Sequence, residues 1–324
     1  MEKRADLHLH TRHSARATDW LLRKVDFPAS CSDPAGLYDG LRAAGFDFVT
    51  FTDHDTIDGC LEIAGRPGAF VSEEVTAFFS EDDVKVQLLV WGITEAQHAA
   101  IQSLRRDIYE LAAWLKHEGV AHAVAHPFWP VDERLALPHW QKLALLFRHF
   151  ETTNGLRAPL PGRTAQFALS RLTPGHIEAF AAAHNLAPLY DEPWRKVFTG
   201  GSDDRGGICQ GRAWTSVDGA RDPEEFLAAV REGRCRAGGE PGSPLLMAHS
   251  LYSVAFEFAG KRLAQASQKP AAALLEKMAG RFMEGKDPTR FTLSEKLGFL
   301  AQGIATGKIW EIAMPGNASL WKEL

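Results

Sequence analysis

From the first residue to about residue 235, short apolar stretches alternate with segments whose apolar side chains recur at helical spacing. Residues 5–9 read as a strand and residues 34–44 as a helix that stops at Gly45. Residues 48–52 are rich in β-branched and aromatic side chains, the composition of a second strand. Further strands are expected at 69–72, 84–91, 120–125, 145–152 and 197–201, with a long helix over 95–117 closed by Gly119. Thr173-Pro174 and Asp222-Pro223 each set a capping side chain before a proline at the first helical position. Each therefore opens a helix, the first running to Asn185. Alternation of this kind predicts a parallel sheet with crossover helices, open or closed into a barrel.

After residue 242 the pattern changes. Ser243-Pro244 starts a helix with an apolar stripe at Leu251, Val254, Ala255 and Phe258, and residues 271–282 carry Leu274, Leu275, Met278 and Phe282 at helical spacing. Thr292 and Glu295 form a capping box before Leu297, Leu300, Ala301 and Ile304. The expected organisation is an α/β domain over 1–242 and a helical appendage over 243–324, suited to packing on that domain or on a protein partner.

The candidate chemistry sits where the strand-like pieces end. Asp6-Leu7-His8-Leu9-His10-Thr11 follows the first, Thr52-Asp53-His54-Asp55 the second, Ala125-His126-Pro127 a later one, and Gly201-Ser202-Asp203-Asp204 the last. Glu74 follows residues 69–72. Residues two apart in a strand share a side, so His8 and His10 can present two imidazoles to one ion. Imidazole with carboxylate suits zinc, manganese or iron better than calcium or magnesium. Ligands drawn from nearly every strand favour a barrel, whose site collects at the C-terminal strand ends, over an open sheet with one switch point. Blander roles stand beside these: core histidines bonded to carbonyls, a helix cap for Asp53 or Asp55, a plain loop for Asp204, and solvent-facing arginines. Glu151 and Asn154, at the end of another expected strand, could line the same mouth, although Asn154-Gly155 is also a turn signal.

Composition narrows the partners. The 324 residues are 45% hydrophobic and 24% charged, with a net charge of −5, which argues against a surface built to track nucleic acid. No apolar run approaches the ~20 residues of a membrane span, and residues 86–93 are the best. The N-terminus enters the first motif with no signal-like segment, and the four cysteines are scattered, so a cytoplasmic protein with reduced thiols is expected.

Taken together, the motifs resemble the PHP (polymerase and histidinol phosphatase) domain family over about residues 1–240, with all the blocks in family order. Wider stretches, residues 70–76 and 150–155, are similar to a bacterial subgroup with a helical extension. The resemblance implies a distorted seven-stranded β/α barrel, (β/α)7, holding two or three metals, often with phosphoesterase activity. It assigns His8, His10, Glu74 and Asp203 to a first metal, Glu74 as a bridge and His126 to a second, and His54 to a third, with Asp53 as ligand or orienter. Two positions depart from the family pattern. Gln87 and Arg205 stand where histidines are usual, and arginine cannot be a ligand. One or two divalent ions are therefore expected, with Glu74, Asp53 and Arg205 as catalytic candidates and Arg12, Arg16 and Arg205 as a clamp for substrate phosphate. The expected function is a metal-dependent phosphoesterase acting on a small phosphorylated metabolite or nucleotide. The alternative is a metal- or phosphate-binding regulatory or docking module without turnover. A nuclease is a lesser third reading.

Overall fold

The computed structural model describes residues 1–14, 28–129, 131–266 and 281. Two mixed sheets form its frame. In the first, β1 (Glu2–Asp6) pairs in parallel with β2 (Phe48–Val49) and antiparallel with β8 (Ala213–Asp218), and β9 (Cys235–Gly239) closes the far edge. The second runs in the order β3 (Ser72–Phe78), β4 (Lys85–Trp91), β5 (Ala121–Val124), β6 (His149–Asn154), β7 (Val197–Gly201). Isolated bridges stitch the sheets together: Val49 with Ala69, His54 with Glu74, and Leu9 with Asp204. Among the described residues these bridges do not complete a continuous hydrogen-bonded barrel.

The expected all-parallel arrangement holds only for β1–β2 and β5–β6–β7. β3 and β4 are antiparallel because only residues 79–84 separate them, too few for a crossover. That turn closes with Phe79 N–H on the Val84 carbonyl and Asp83 in the left-handed region at φ 57°. β5 is also antiparallel to β4, and β8 and β9 were not foreseen.

The helices follow their caps. Asp33 accepts from Gly36 N–H to open α1 (Pro34–Ala43), and a short α2 (Asp58–Leu61) follows β2. The single helix expected over 95–117 is two, α3 (Glu95–Leu104) and α4 (Ile108–His117). Asp107 breaks it by accepting from the N–H groups of Tyr109 and Glu110, a new N-cap inside an otherwise helical pattern. Residues 145 and 146, expected to begin the strand over 145–152, instead end α5 (Leu137–Leu146), and β6 starts at His149. A short apolar run does not declare its own period. α6 (Pro159–Leu169), α7 (Pro174–His184) and α8 (Pro223–Arg231) complete the layer; α7 ends at Asn185, which takes φ 47°.

The chain divides into two compact units, Met1–Ala255 and Phe256–Leu324. The boundary falls inside α9 (Pro244–Ala266), twelve residues after its first. The helices expected over 271–282 and 292–304, Arg281 apart, lie outside the described residues, as does Arg16. No helix among the described residues is long and apolar enough to cross a membrane.

Two core histidines make stability depend on pH. His122 donates Nδ1–H to the Val120 carbonyl and accepts from the Tyr190 hydroxyl, while His149 donates Nε2–H to the Val230 carbonyl. Burial pulls their pKa values down to about 4 and about 3, below the ordinary 6.5. As pH falls through 6.5 the unfolded chain takes up these protons first, so stability is lost on acidification. The loss by pH 4 is on the order of 3 kcal/mol per histidine. Denaturant unfolding at pH 7.5 and 4.5 should show it. His149→Gln, which keeps a donor for Val230 without a titrating ring, should lose about 2–3 kcal/mol less over the same interval. An equal loss in both proteins would contradict the assignment.

Candidate metal centre

The cluster begins with alternation. Leu7 and Leu9 are buried in the hydrophobic core, while His8 and His10 point the other way into a shared polar interior. The segment carrying them is clamped from both sides. Leu9 N–H donates to Thr52 Oγ1 and its carbonyl accepts from Thr52 N–H at 2.7 Å, while Asp203 N–H donates to the His8 carbonyl at 2.6 Å. Glu74 N–H donates to the Asp53 carbonyl, which sets Glu74 beside His54. Gly201 is obligatory in this packing, because a Cβ there would overlap the backbone and Cβ of His8. His126 and Asp203 take positive φ, 27° and 54°, conformations that cost non-glycine residues energy and cluster at functional sites.

Six side chains converge, all buried: His8, His10, His54, Glu74, His126 and Asp203. His8 Nε2 and His10 Nε2 are 3.2 Å apart, and Asp203 Oδ1 lies 3.5 and 3.4 Å from them. Glu74 Oε1 lies 3.5 Å from His8 Nε2 and 3.2 Å from His126 Nε2, and its Oε2 lies 3.4 Å from His10 Nε2 and 2.9 Å from His54 Nδ1. Ligands bonded at 2.0–2.1 Å to a tetrahedral ion stand about 3.3–3.4 Å from one another. The triangle of His8, His10 and Asp203 has those edges. An imidazole nitrogen has one lone pair, so these two histidines serve one ion, leaving Glu74 and His126 to face a second.

Hydrogen bonds on the outer side set the histidine tautomers. Glu151 Oε1 accepts from His8 Nδ1–H at 2.8 Å, which turns the Nε2 lone pair inward. His10 Nδ1 meets Ser14 Oγ at 2.9 Å, and the Ser14 hydroxyl is in turn bonded to Asp53, so His10 also presents Nε2. Burial opposes charge on His8, yet Glu151, Asp203 and Glu74 outweigh it and raise its pKa well above the ordinary value. Burial, with Arg205 nearby, lowers that of His10 well below it. Burial would raise Asp203, but Arg157, His8 and Arg205 hold it well below the usual carboxylate range. Glu74 is likewise held low against its burial by His54 and His8. Its Oε2 is buried 2.9 Å from His54 Nδ1 and 3.4 Å from His10 Nε2. Converging imidazole nitrogens, buried carboxylate oxygens, and a negative field that raises the His8 pKa together fit a divalent cation.

Not every expected residue joins the cluster. Asp53 spends Oδ1 and Oδ2 on Thr11 N–H and Oγ1, both at 2.6 Å, so it acts through the His10 loop and not as a ligand. Arg12 is paired with Asp33 and Glu62 at an exposed rim, so its guanidinium is already matched by carboxylates. Arg205 reaches the site, donating Nη2–H to Asp203 Oδ1 and Nη1–H to His54 Nε2, each at 3.0 Å. Since arginine cannot accept, His54 Nε2 must offer its lone pair to Arg205. Gln87 approaches the same ring at Nδ1, 3.2 Å away.

Other participants were missed or given little weight. Glu151 orients His8 and accepts from His126 N–H, and Asn154 donates to both Glu151 and Asp203. Asp6 ties His8, Ser202 and Gly211 together through their N–H groups, with burial raising its pKa to about 6. Arg157 donates Nε–H to Asp203 Oδ2 at 2.8 Å. Its only signal in the sequence is a basic residue just after the Asn154-Gly155 turn.

Comparisons with known proteins add a frame. No family model matches the chain. It is 37% identical over 59 residues to an uncharacterized protein of Methanocaldococcus jannaschii, a stretch covering 18% of this chain and 33% of that protein, so the match spans one third of the relative's length. Among solved structures it is similar to PsfC from Pseudomonas syringae, at TM-score 0.46 and 14% identity over 80% of this chain and 98% of that one. It is similar to a two-domain protein from Bacteroides vulgatus containing a predicted PHP-like metal-dependent phosphoesterase, at TM-score 0.45 and 15% identity, over 74% and 65% of the two chains. An amidohydrolase from Chromobacterium violaceum with bound sulfate and no metal gives TM-score 0.43 and 16% identity over 72% and 97%.

Proposed function

We propose that this protein is a metal-dependent phosphoesterase that hydrolyses a small phosphate ester. The observation that carries the metal is the triangle of His8 Nε2, His10 Nε2 and Asp203 Oδ1 with edges of 3.2–3.5 Å, flanked by both oxygens of Glu74. His8, His10, Asp203 and Glu74 would hold one zinc, manganese or iron ion, and Glu74 with His126 would face another. A bound ion of this kind supplies water with its pKa lowered toward ~7, a hydroxide source at neutral pH. The protein's own contribution is orientation and charge. Glu151 and Ser14 fix the two imidazoles, the buried strand ends exclude bulk water, and Arg157 and Arg205 place two fixed positive charges on Asp203. Those guanidiniums at the rim of a cation site favour an anionic ester over a neutral amide.

A regulatory or docking module that binds metal or phosphate without turnover is the second reading, favoured by Arg205 and Gln87 engaging His54 from both ring nitrogens. Elemental analysis of the purified protein, with assays on phosphomonoesters and phosphodiesters after loading with zinc, manganese or iron(II), separates the two. Bound metal with phosphate release supports the phosphoesterase. Bound metal with no release on either panel supports the module, and no metal under any loading condition sinks the phosphoesterase.

A further inference from the structure

Beside His126 and Glu151 a shallow cleft opens to the surface. Its lining combines two chemistries. Asn154, Arg157 and Thr152 supply polar groups, and the buried Oγ1 of Thr152 has no hydrogen-bond partner among the described residues. Trp129, Pro127 and Pro161 supply apolar surface.

Arg157 joins the two chemistries. Its Nε–H is held by Asp203, and its guanidinium carbon lies 5.3 Å from the centre of the Trp129 ring. Among the described residues only that Nε–H is committed on its side chain, so both Nη groups remain for a ligand. The other arginines differ. Arg205 divides its two Nη groups between His54 and Asp203, and Arg12 divides its own between Asp33 and Glu62. A guanidinium anchored through one N–H, with a planar fork remaining, is suited to two oxygens of one phosphate.

We infer that Arg157 is the residue that grips the substrate phosphate, and that the ester's other part presents a flat apolar face to Trp129. The placement of phosphate beside the metal ligands rests on the proposed function. The cleft's chemistry stands on its own. Indole and proline walls gain by covering apolar surface but offer little to a polyol.

Calorimetric binding of phenyl phosphate and inorganic phosphate to the metal-loaded protein tests this independently of turnover. Phenyl phosphate should bind about tenfold more tightly than inorganic phosphate, the advantage of a buried ring. Trp129→Ala should abolish that advantage while leaving inorganic phosphate within about twofold. Arg157→Ala should weaken both ligands about tenfold or more, the cost of a lost charge-assisted contact, with metal content unchanged. Arg157→Lys, which keeps a cation on Asp203 but not the fork, should retain the metal and still bind phosphate weakly. Equal affinity for the two ligands in the unaltered protein, or no change in either Arg157 variant, overturns the inference. Should Arg157→Ala empty the metal site, the lysine and Trp129 variants decide. Phenyl phosphate that binds as expected but is never hydrolysed defeats the phosphoesterase reading and leaves this one standing. Hydrolysis without any preference for the ring does the reverse.

Discussion

Replacing His8 and His10 together with alanine should yield a folded protein that purifies without metal and releases no phosphate from any ester. Both imidazoles present Nε2 to the same point beside Asp203 Oδ1, so one ion loses two of its protein ligands at once. Losing even a residue that only supports a ligand weakens metal binding about 10–100-fold, and losing two ligands costs more. The fold should survive, because Leu7 and Leu9, between and beside the histidines, keep their places in the core. Elemental analysis and circular dichroism of the same sample check both halves. Glu151→Ala should be intermediate, since His8 keeps its nitrogen but loses the partner that aims it. Undiminished metal in a folded double variant would show that the ligands lie elsewhere.

The second large effect concerns the guanidinium at His54. Arg205 carries a fixed positive charge 3.0 Å from His54 Nε2 and 3.0 Å from Asp203 Oδ1, so it repels a cation there while attracting an anion. The double variant Gln87→His with Arg205→His removes that charge and surrounds His54 with two further imidazoles. It is expected to bind about one more ion per chain than the unaltered protein, and to hydrolyse esters faster if the added ion reaches the substrate. Arg205→Ala alone should leave the His8–His10 ion in place and weaken inorganic phosphate less than Arg157→Ala, because its donors are already committed within the protein. Metal stoichiometry by elemental analysis reads this directly. Three fully occupied ions in the unaltered protein would end the argument.

The errors of the sequence reading have identifiable causes. Expecting Arg12 to grip phosphate treated nearness to a motif as nearness to the site, yet Asp33 and Glu62, 21 and 50 residues away, had already claimed it. Expecting Asp53 as a ligand missed that Thr11 consumes both its oxygens, which leaves it to act on His10 only through Ser14. Arg157 escaped notice because an arginine after a turn is ordinary on its face, and only folding brings it onto Asp203.

What the sequence by itself determined was the inventory and the local geometry. Alternation at Leu7-His8-Leu9-His10 forces both imidazoles to one side, caps at Asp33, Thr173 and Asp222 start their helices, and the chemistry of imidazole with carboxylate narrows the ion. These rest on interactions within a few residues, which one chain segment carries whole. Only the tertiary structure decided which carboxylate fixes His8, which arginine keeps free donors, how Glu74 divides its two oxygens, and that the strands form two mixed sheets stitched by isolated bridges. Those depend on contacts between groups up to about 200 residues apart, such as Asp6 with Ser202. Charge and hydrogen-bond donors are satisfied by whichever partner folding brings nearest, and sequence order does not record that distance.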